Sequence, residues 1–349
     1  MQLMAAMVRQ FGRSTSPGEH LRGFSVREPI YPMEAKSVDE LPVGGGWLYE
    51  PKWDGFRCLA LKDGARVELQ GKSGKSLARY FPEVVKMLSE IKLASAALDG
   101  ELRIEIDGIA SFDALQMRLH PAATRIKKLS EETPATLVVF DTLLNTNGVP
   151  IHELPLEKRQ AELRRIARKF KNGLSMSEST EDISVARRWL KSGYAGTDGV
   201  IAKRLDQPYR FGERAMLKVK RIRTADCVVG GFRYERGKKV VGSLLLGLYD
   251  KDGLLHHVGF TSGLAGVDKP ELTAKLERLI APPGFTGDAP GGPSRWATDR
   301  SAEWEPLKPK LVVEVSYDHV TGNRFRHGTR LIRWRPDKAP RQCTFDQIA

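Results

Sequence analysis

The string Glu50-Pro51-Lys52-Trp53-Asp54-Gly55 sets the hardest condition on how this 349-residue chain can fold. Trp47–Pro51 has the composition of a strand, so Lys52 stands just past a strand end and two residues before an Asp-Gly pair that reads as a corner. Taken alone, Lys-x-Asp-Gly is a common exposed turn. Taken as a nucleophile, the lysine makes demands on the fold. An unperturbed lysine titrates near about 10.4, so almost none is neutral at physiological pH. Attack on a phosphorus centre needs the free amine. Nearby cations or a bound metal lower its pKa, whereas carboxylates acting alone raise it. Charge developing on a phosphate also needs positive partners already in place. Segments distant in sequence must therefore bring lysines or arginines, metal-holding carboxylates and a flat side chain to Lys52.

The chain offers such groups in order. Arg57 follows five residues after Lys52. Gly100-Glu101, between the expected strands Ala96–Asp99 and Leu102–Ile106, presents a carboxylate at a turn. Val138-Val139-Phe140-Asp141 ends the apolar run of a buried strand with an aromatic. Asp198-Gly199-Val200-Ile201-Ala202-Lys203 brings a second carboxylate into a strand. In Leu217-Lys218-Val219-Lys220 the alternation puts both lysines on one strand face. Arg335-Pro336-Asp337-Lys338 closes the series.

The rest of the chain reads as two domains, with a boundary near residues 220–224. Residues 1–46 read as irregular, and the first 25 lack the continuous apolar stretch of a signal peptide. Phe56–Leu61 and Arg66–Gln70 form a hairpin around Asp63-Gly64. Helical spacing predicts helices over Tyr80–Ile91, Phe112–Leu119, Leu156–Phe170 and Ile183–Ser192, with strands at Val200–Ala202 and Ala215–Val219. Beyond residue 224, short strands at Cys227–Arg233, Val240–Tyr249, Leu254–Phe260, Leu311–Tyr317 and Leu331–Arg335, with one helix at Pro270–Ile280, suit a small barrel such as an OB-fold. Gly44–Gly46 and Gly291-Gly292 follow no phosphate-loop pattern and read as turns. His256 and His257 are neighbours in a strand, face opposite ways and cannot share a metal.

Composition narrows the partners. Three well-separated cysteines, Cys58, Cys227 and Cys343, form no metal-spaced pair and fit a reducing cytoplasm. No apolar run reaches the length of a membrane span. The net charge of +13 favours a polyanion. Between Arg324 and Arg341 lie seven basic residues and a single acid, Asp337, and a second cluster runs through Lys218, Lys220, Arg221 and Arg223. Such patches suit phosphate contacts, which weaken with salt.

From about residue 28 to residue 341, this ordered set of motifs resembles the ATP-dependent DNA ligases, in particular compact bacterial enzymes of the stand-alone C type and the ligase module of end-joining proteins. The resemblance implies an α+β fold: an adenylation (nucleotidyltransferase) domain of antiparallel sheets and helices over residues 1–220, then an OB-fold β-barrel domain over residues 221–349. It implies that Lys52 forms a Lys–AMP phosphoramidate from ATP. Glu50 would border the adenine, Phe140 stack on it, Arg57 contact the nucleotide and later the nick, and Glu101 meet the ribose or a metal. Asp198 would bind Mg²⁺ or Mn²⁺. Lys218 and Lys220 would hold the α-phosphate, Arg214 would touch the nucleotide, and Arg335 and Lys338, with Asp337 in the same motif, would orient pyrophosphate. Lys72 stands where the family usually has Arg, which removes a bidentate phosphate fork. Asp198 stands where Glu is commoner, which shortens the reach to a metal, and Met216 stands where Trp is frequent.

The implied partner is nicked duplex DNA, with a monomeric enzyme and a repair polymerase-primase or end-binding protein as recruiter. About 50 residues precede Lys52, which leaves no room for the separate N-terminal DNA-binding domain of larger ligases. Two alternatives share the lysine chemistry: an RNA ligase and a GTP-dependent capping-type nucleotidyltransferase. A third, from another class, is a non-catalytic OB-fold nucleic-acid-binding protein.

Overall fold

The computed structural model describes residues 29–192, 194–264, 266–291 and 303–348. The expectations for residues 1–28, and for Gly292 and the loop residues that follow it, lie outside the described residues. The chain divides into two compact units, Met1–Arg221 and Ile222–Ala349.

In chain order the first unit contains the strands β1 (Ala35–Ser37), β2 (Trp47–Pro51), β3 (Phe56–Asp63), β4 (Arg66–Gly71), β5 (Ser95–Arg103), β6 (Thr136–Thr142), β7 (Leu174–Met176), β8 (Gly199–Arg204) and β9 (Met216–Lys220). Its helices are α1 (Pro82–Ser89), α2 (Phe112–Arg118), α3 (Ala123–Glu132), α4 (Leu156–Ala167) and α5 (Ile183–Ser192). One sheet runs β1-β9-β8-β2 and the other β4-β3-β5-β6-β7.

Period-two alternation gives each sheet two different faces. In the five-stranded sheet, Cys58, Ala60, Leu98, Leu102, Leu137 and Val139 pack against Val84 and Leu88 of α1 and Leu163 and Ile166 of α4. Each of the fully buried leucine, valine and isoleucine side chains contributes roughly 1.5–3 kcal/mol by leaving water. The intervening residues Arg57, Asp99, Glu101 and Phe140 therefore project from the other face. In the four-stranded sheet, Tyr49, Val200, Ala202 and Val219 pack against Ala186 and Trp189 of α5. Asp182 starts that helix by accepting the Ser184 N–H at 2.7 Å. Glu50, Ile201 and Lys218 are left on the opposite face.

Four expectations need correction. Ala96–Asp99 and Leu102–Ile106 are not two strands around a turn: β5 runs unbroken through Gly100-Glu101, and its pairing with β6 shifts register between Asp99 and Gly100. The helix expected over Tyr80–Ile91 begins at Pro82, after a single 3₁₀ turn at Ala78–Tyr80, because proline suits the first turn of a helix and not its interior. Within the stretch expected to be irregular, Ala35–Ser37 pairs in parallel with Met216–Lys218. Helix α3 has no counterpart in the sequence reading. Only Ile126 of its ten residues is buried, so it carries almost no apolar period.

The glycines that follow an Asp are of two kinds. Gly64 and Gly253 occupy positive-φ turns, but Gly55, Gly100 and Gly199 do not have positive φ. A Cβ on Gly55 would overlap the Leu102 carbonyl oxygen, one on Gly199 would overlap the Val219 carbonyl oxygen, and one on Gly100 would lie 2.6 Å from the Val138 oxygen. These glycines permit close backbone approach within the sheets.

The second unit contains β10 (Arg223–Tyr234), β11 (Val241–Tyr249), β12 (Leu255–Gly263), α6 (Lys269–Glu277), β13 (Val312–Tyr317) and β14 (Thr329–Trp334). β10 pairs with β11, β11 with β12, β12 in parallel with β14, β14 with β13, and β13 with β10. The ring closes into a five-stranded OB-fold barrel. Its interior holds Phe232, Leu246, Val258 and Val313, all fully buried.

Gly55→Ala should destabilise the protein by about 1–3 kcal/mol, because the fixed Leu102 carbonyl leaves no room for a methyl group. Gly64→Leu serves as the contrast in the same urea titration, since its cost comes from the φ of +57° alone. An unchanged midpoint for Gly55→Ala would contradict the close-approach reading.

Candidate active site

Lys52 is set by its backbone before its side chain is considered. Its N–H donates to the Gly199 carbonyl at 2.9 Å, and its carbonyl accepts the Asp198 N–H at 3.1 Å. This extends the antiparallel pairing of β2 with β8 by one step. The amine then donates to both carboxylate oxygens of Asp198, at 2.7 and 2.8 Å.

Two register rows supply the walls. Glu50, Ile201 and Lys218 lie in one row across β2, β8 and β9. Arg57 and Glu101 are paired across β3 and β5. Together with Lys52, Lys72 and Phe140 they line a cavity of about 240 Å³.

One end of the cavity is cationic. The Lys218 ammonium has its pKa lowered by desolvation and then by the charges of Lys52, Lys220, Lys72 and Arg214. Lys220 and Arg214 are not among the cavity-lining residues but add to this field. Arg214 is 74% exposed and lies 3.9 Å from Glu34, to which the exposed Lys72 also pairs at 3.1 Å. A group of such cations can bind phosphate oxygens without reorganising.

The other end is aromatic and buried. Phe140 has the Arg57 guanidinium carbon and the Lys203 amine each 4.6 Å from its ring centroid. Lys203 pairs with Glu50 at 2.7 Å, and both are almost fully buried. Burial pushes the Glu50 carboxyl up, with Lys203 opposing. Ile201 and Met216 complete the apolar lining. Met216, where Trp is frequent, thus lines the cavity as well as packing.

Arg57 is clamped from behind. Its Nε and Nη2 donate to Asp99 at 2.6 and 2.7 Å, and Nη2 also donates to the Met33 carbonyl at 3.0 Å. Burial works against the guanidinium charge, and Asp99 overcomes it and raises the pKa. Asp99 is fully buried and takes a third hydrogen bond from the Tyr209 hydroxyl at 2.6 Å. That hydroxyl in turn accepts the Met33 N–H at 3.0 Å. Glu101 sits beside this clamp. Burial, reinforced by Asp54 and Asp99 and opposed by Arg57 and Lys52, pushes its carboxyl up to about 8.

The family model described as ATP dependent DNA ligase domain matches residues 32–220, and that described as ATP dependent DNA ligase C terminal region matches residues 237–338. The chain belongs to the ATP-dependent DNA ligases. DNA ligase C1 of Mycolicibacterium smegmatis is 43% identical over 336 residues, covering 93% of this chain and 94% of that protein. DNA ligase C of Mycobacterium tuberculosis is 37% identical over 344 residues, covering 93% and 94%. A solved structure from a study of minimal-scaffold Lig E DNA ligases is 16% identical and covers 88% of this chain and 100% of that one. Its TM-score of 0.52 shows a shared fold.

Within this ligase, the first unit brings together Glu50, Lys52, Arg57, Lys72, Glu101, Phe140, Asp198 and Lys218. Arg335, Asp337 and Lys338 belong to the barrel unit, where Arg335 pairs with Asp226 and Asp337. The sequence reading gave no role to Lys203, Trp53, Asp99 or Tyr209. Trp53 lines the cavity, donates its indole N–H to Ser177 at 2.8 Å and lies under Arg103 at 4.4 Å. Lys203 carried a signal, since it follows Ile201 at strand period two. Tyr209 carried none, because its contact with Asp99 spans 110 residues.

Tyr209→Phe should lower stability by about 1–3 kcal/mol, since it removes a donor from buried Asp99 and an acceptor from the Met33 N–H. The looser Arg57 should also weaken ATP binding. Urea unfolding and ATP titration check both, and wild-type values in both would contradict the clamp.

Proposed function

We propose that the chain seals nicks in duplex DNA by three successive transfers, the first two of which pass through a covalent bond to Lys52. The amine loses its proton and attacks the α-phosphorus of ATP. An N–P bond forms, the bond to the β-phosphate oxygen breaks, and pyrophosphate leaves. A 5′-phosphate oxygen at the nick then attacks the phosphorus of AMP, the N–P bond breaks and the Lys52 amine is regenerated. Finally the 3′-hydroxyl attacks the 5′-phosphorus, and AMP leaves as the phosphodiester forms. The carrying observation is the cavity itself, which has a nucleophilic amine at its edge, a cationic end for phosphates and a buried aromatic end for a purine.

The roles follow from position. Lys218, with Lys220 and Lys72 near it, neutralises the phosphates. Phe140 supplies the platform for the adenine, and Glu50 with Lys203 borders it. Arg57, fixed by Asp99, contacts the nucleotide without an entropy cost at the moment of binding. Arg214 serves from the rim. Arg335 and Lys338, with Asp337 beside them, orient the departing pyrophosphate.

Mg²⁺ or Mn²⁺ fits the donor chemistry. Glu101 and Asp198 are hard oxygen ligands near Lys52, and among the described residues no group of three or more His, Cys, Asp or Glu forms a closed cage. Such an ion takes its remaining ligands from water and phosphate. When bound it neutralises phosphate charge.

We read residues 1–220 as the adenylation domain and 221–349 as the OB-fold domain, with the segment at Arg221–Thr224 as the hinge. The +13 charge supports a DNA partner with steep salt dependence. We read the enzyme as a monomer in DNA repair, recruited to nicks by a polymerase-primase or end-binding protein. No helix among the described residues is long and apolar enough to cross a membrane.

Incubation with α-labelled ATP and Mg²⁺ should leave an acid-labile label on the wild type and none on Lys52→Ala. The labelled enzyme should then pass its AMP to nicked DNA. Equal labelling of Lys52→Ala, or labelling by GTP in preference to ATP, would sink the proposal.

A further inference from the structure

Asp226 lies outside every motif in the sequence, yet it binds two residues of the last one. It sits on β10 and is 8% exposed. Its carboxylate accepts Arg335 Nη1 at 2.8 and 3.0 Å and Lys338 Nζ at 2.9 Å. The backbone of Asp226 is held as well. Gln347 accepts its N–H at 3.0 Å and donates to its carbonyl at 3.1 Å. The other edge of the Arg335 guanidinium meets Asp337, whose side chain is 61% exposed. One buried carboxylate fixed on the barrel wall therefore sets the relative position of an arginine and a lysine whose side chains are otherwise long and rotamer-rich.

We propose that Asp226 is the positioning residue that holds Arg335 and Lys338 together as one two-pronged cationic unit for the pyrophosphate that leaves in the first transfer. The Asp226 Oδ2 atom accepts from both residues, which brings the guanidinium edge and the ammonium head next to each other. That spacing suits two oxygens of one phosphate group. Without Asp226 the two side chains must be ordered during the reaction itself, and preorganisation is what makes such charges effective. The inference rests on the reading that Arg335 and Lys338 act on pyrophosphate. It adds that their geometry is set by an acid that never touches the nucleotide.

The test uses the full chain in three assays: labelling of Lys52 by ATP, loss of label from the adenylated enzyme on adding pyrophosphate, and sealing of a nick that already carries a 5′-adenylate. Asp226→Asn should slow labelling and raise the pyrophosphate concentration needed for half-maximal reversal by about tenfold to a hundredfold, as expected for misplaced catalytic charges. Sealing of the pre-adenylated nick should stay within about twofold of wild type, because that reaction does not pass through the lost interaction. Asp226→Glu should restore most of the first-step rate. If Asp226→Asn labels at the wild-type rate while Lys338→Ala is slow, the inference fails and the pyrophosphate reading stands. If Asp226→Asn slows all three assays alike and Asp226→Glu gives no rescue, Asp226 is only a structural residue and the inference fails. If Lys338→Ala itself labels normally, the pyrophosphate reading fails first.

Discussion

The antiparallel pairing of β2 with β8 is the constraint on which the site depends. It joins Lys52 to the Asp198-Gly199 segment by two backbone hydrogen bonds, although 146 residues separate the two side chains. The same strand β8 pairs on its other edge with β9, so a single register row carries Glu50, Ile201 and Lys218 across three strands. A slip of one residue would turn every one of these side chains toward α5. The amine, the cationic Lys218 and the Glu50 border of the purine end are thus placed by one register. The glycine at position 199 is what lets β8 and β9 approach closely enough to keep it.

Buried charge then sets which parts of the site are rigid. Arg57–Asp99 and Glu50–Lys203 are ion pairs taken out of water, which costs several kcal/mol per ion before the partners compensate. The chain keeps them fully bonded. Asp99 receives Arg57 twice and Tyr209 once, and Lys203 meets both Glu50 and the Phe140 ring. These arrangements add rigidity around the base end. Lys72 and Arg214 at the rim are exposed and paired to Glu34 at longer range, a kind of contact that contributes little to stability. The site thus grades from a fixed floor to an adaptable rim, a distribution suited to a cavity that must admit a nucleotide and later release AMP to DNA.

The barrel unit follows the same logic with a different fold. Its five strands close around an apolar interior, and its basic motif Arg335–Lys338 stands in the turn after the last strand. Asp226 reaches that motif from the first strand because β13 lies between β10 and β14 in the ring. Strands at opposite ends of the unit's sequence therefore meet at one carboxylate.

Much of this protein was legible in its residues. Strand composition located β2, a continuous apolar run located β6, a turn between two strand-like runs located the β3–β4 hairpin, and helical spacing located α5 to the residue, because these patterns are local and show within a few positions. The ordered motifs marked Lys52, Glu101, Phe140 and Lys218, and the strong clustering of basic residues marked the barrel's last strand. Local pattern failed where the deciding distance was non-local. Asp-Gly reads as a turn from its own chemistry, yet Gly55, Gly100 and Gly199 lie against carbonyls of neighbouring strands that the sequence does not place beside them. Tyr209 and Asp226 had nothing local to distinguish them from ordinary tyrosine and aspartate, and Lys203 showed only its strand period with Ile201. The sequence by itself determined which chemical groups the chain carries and where most of its strands lie. The tertiary structure decided which carboxylate holds which cation, because hydrogen bonds of under 3 Å depend on register between strands far apart in the chain, and no local pattern encodes that register.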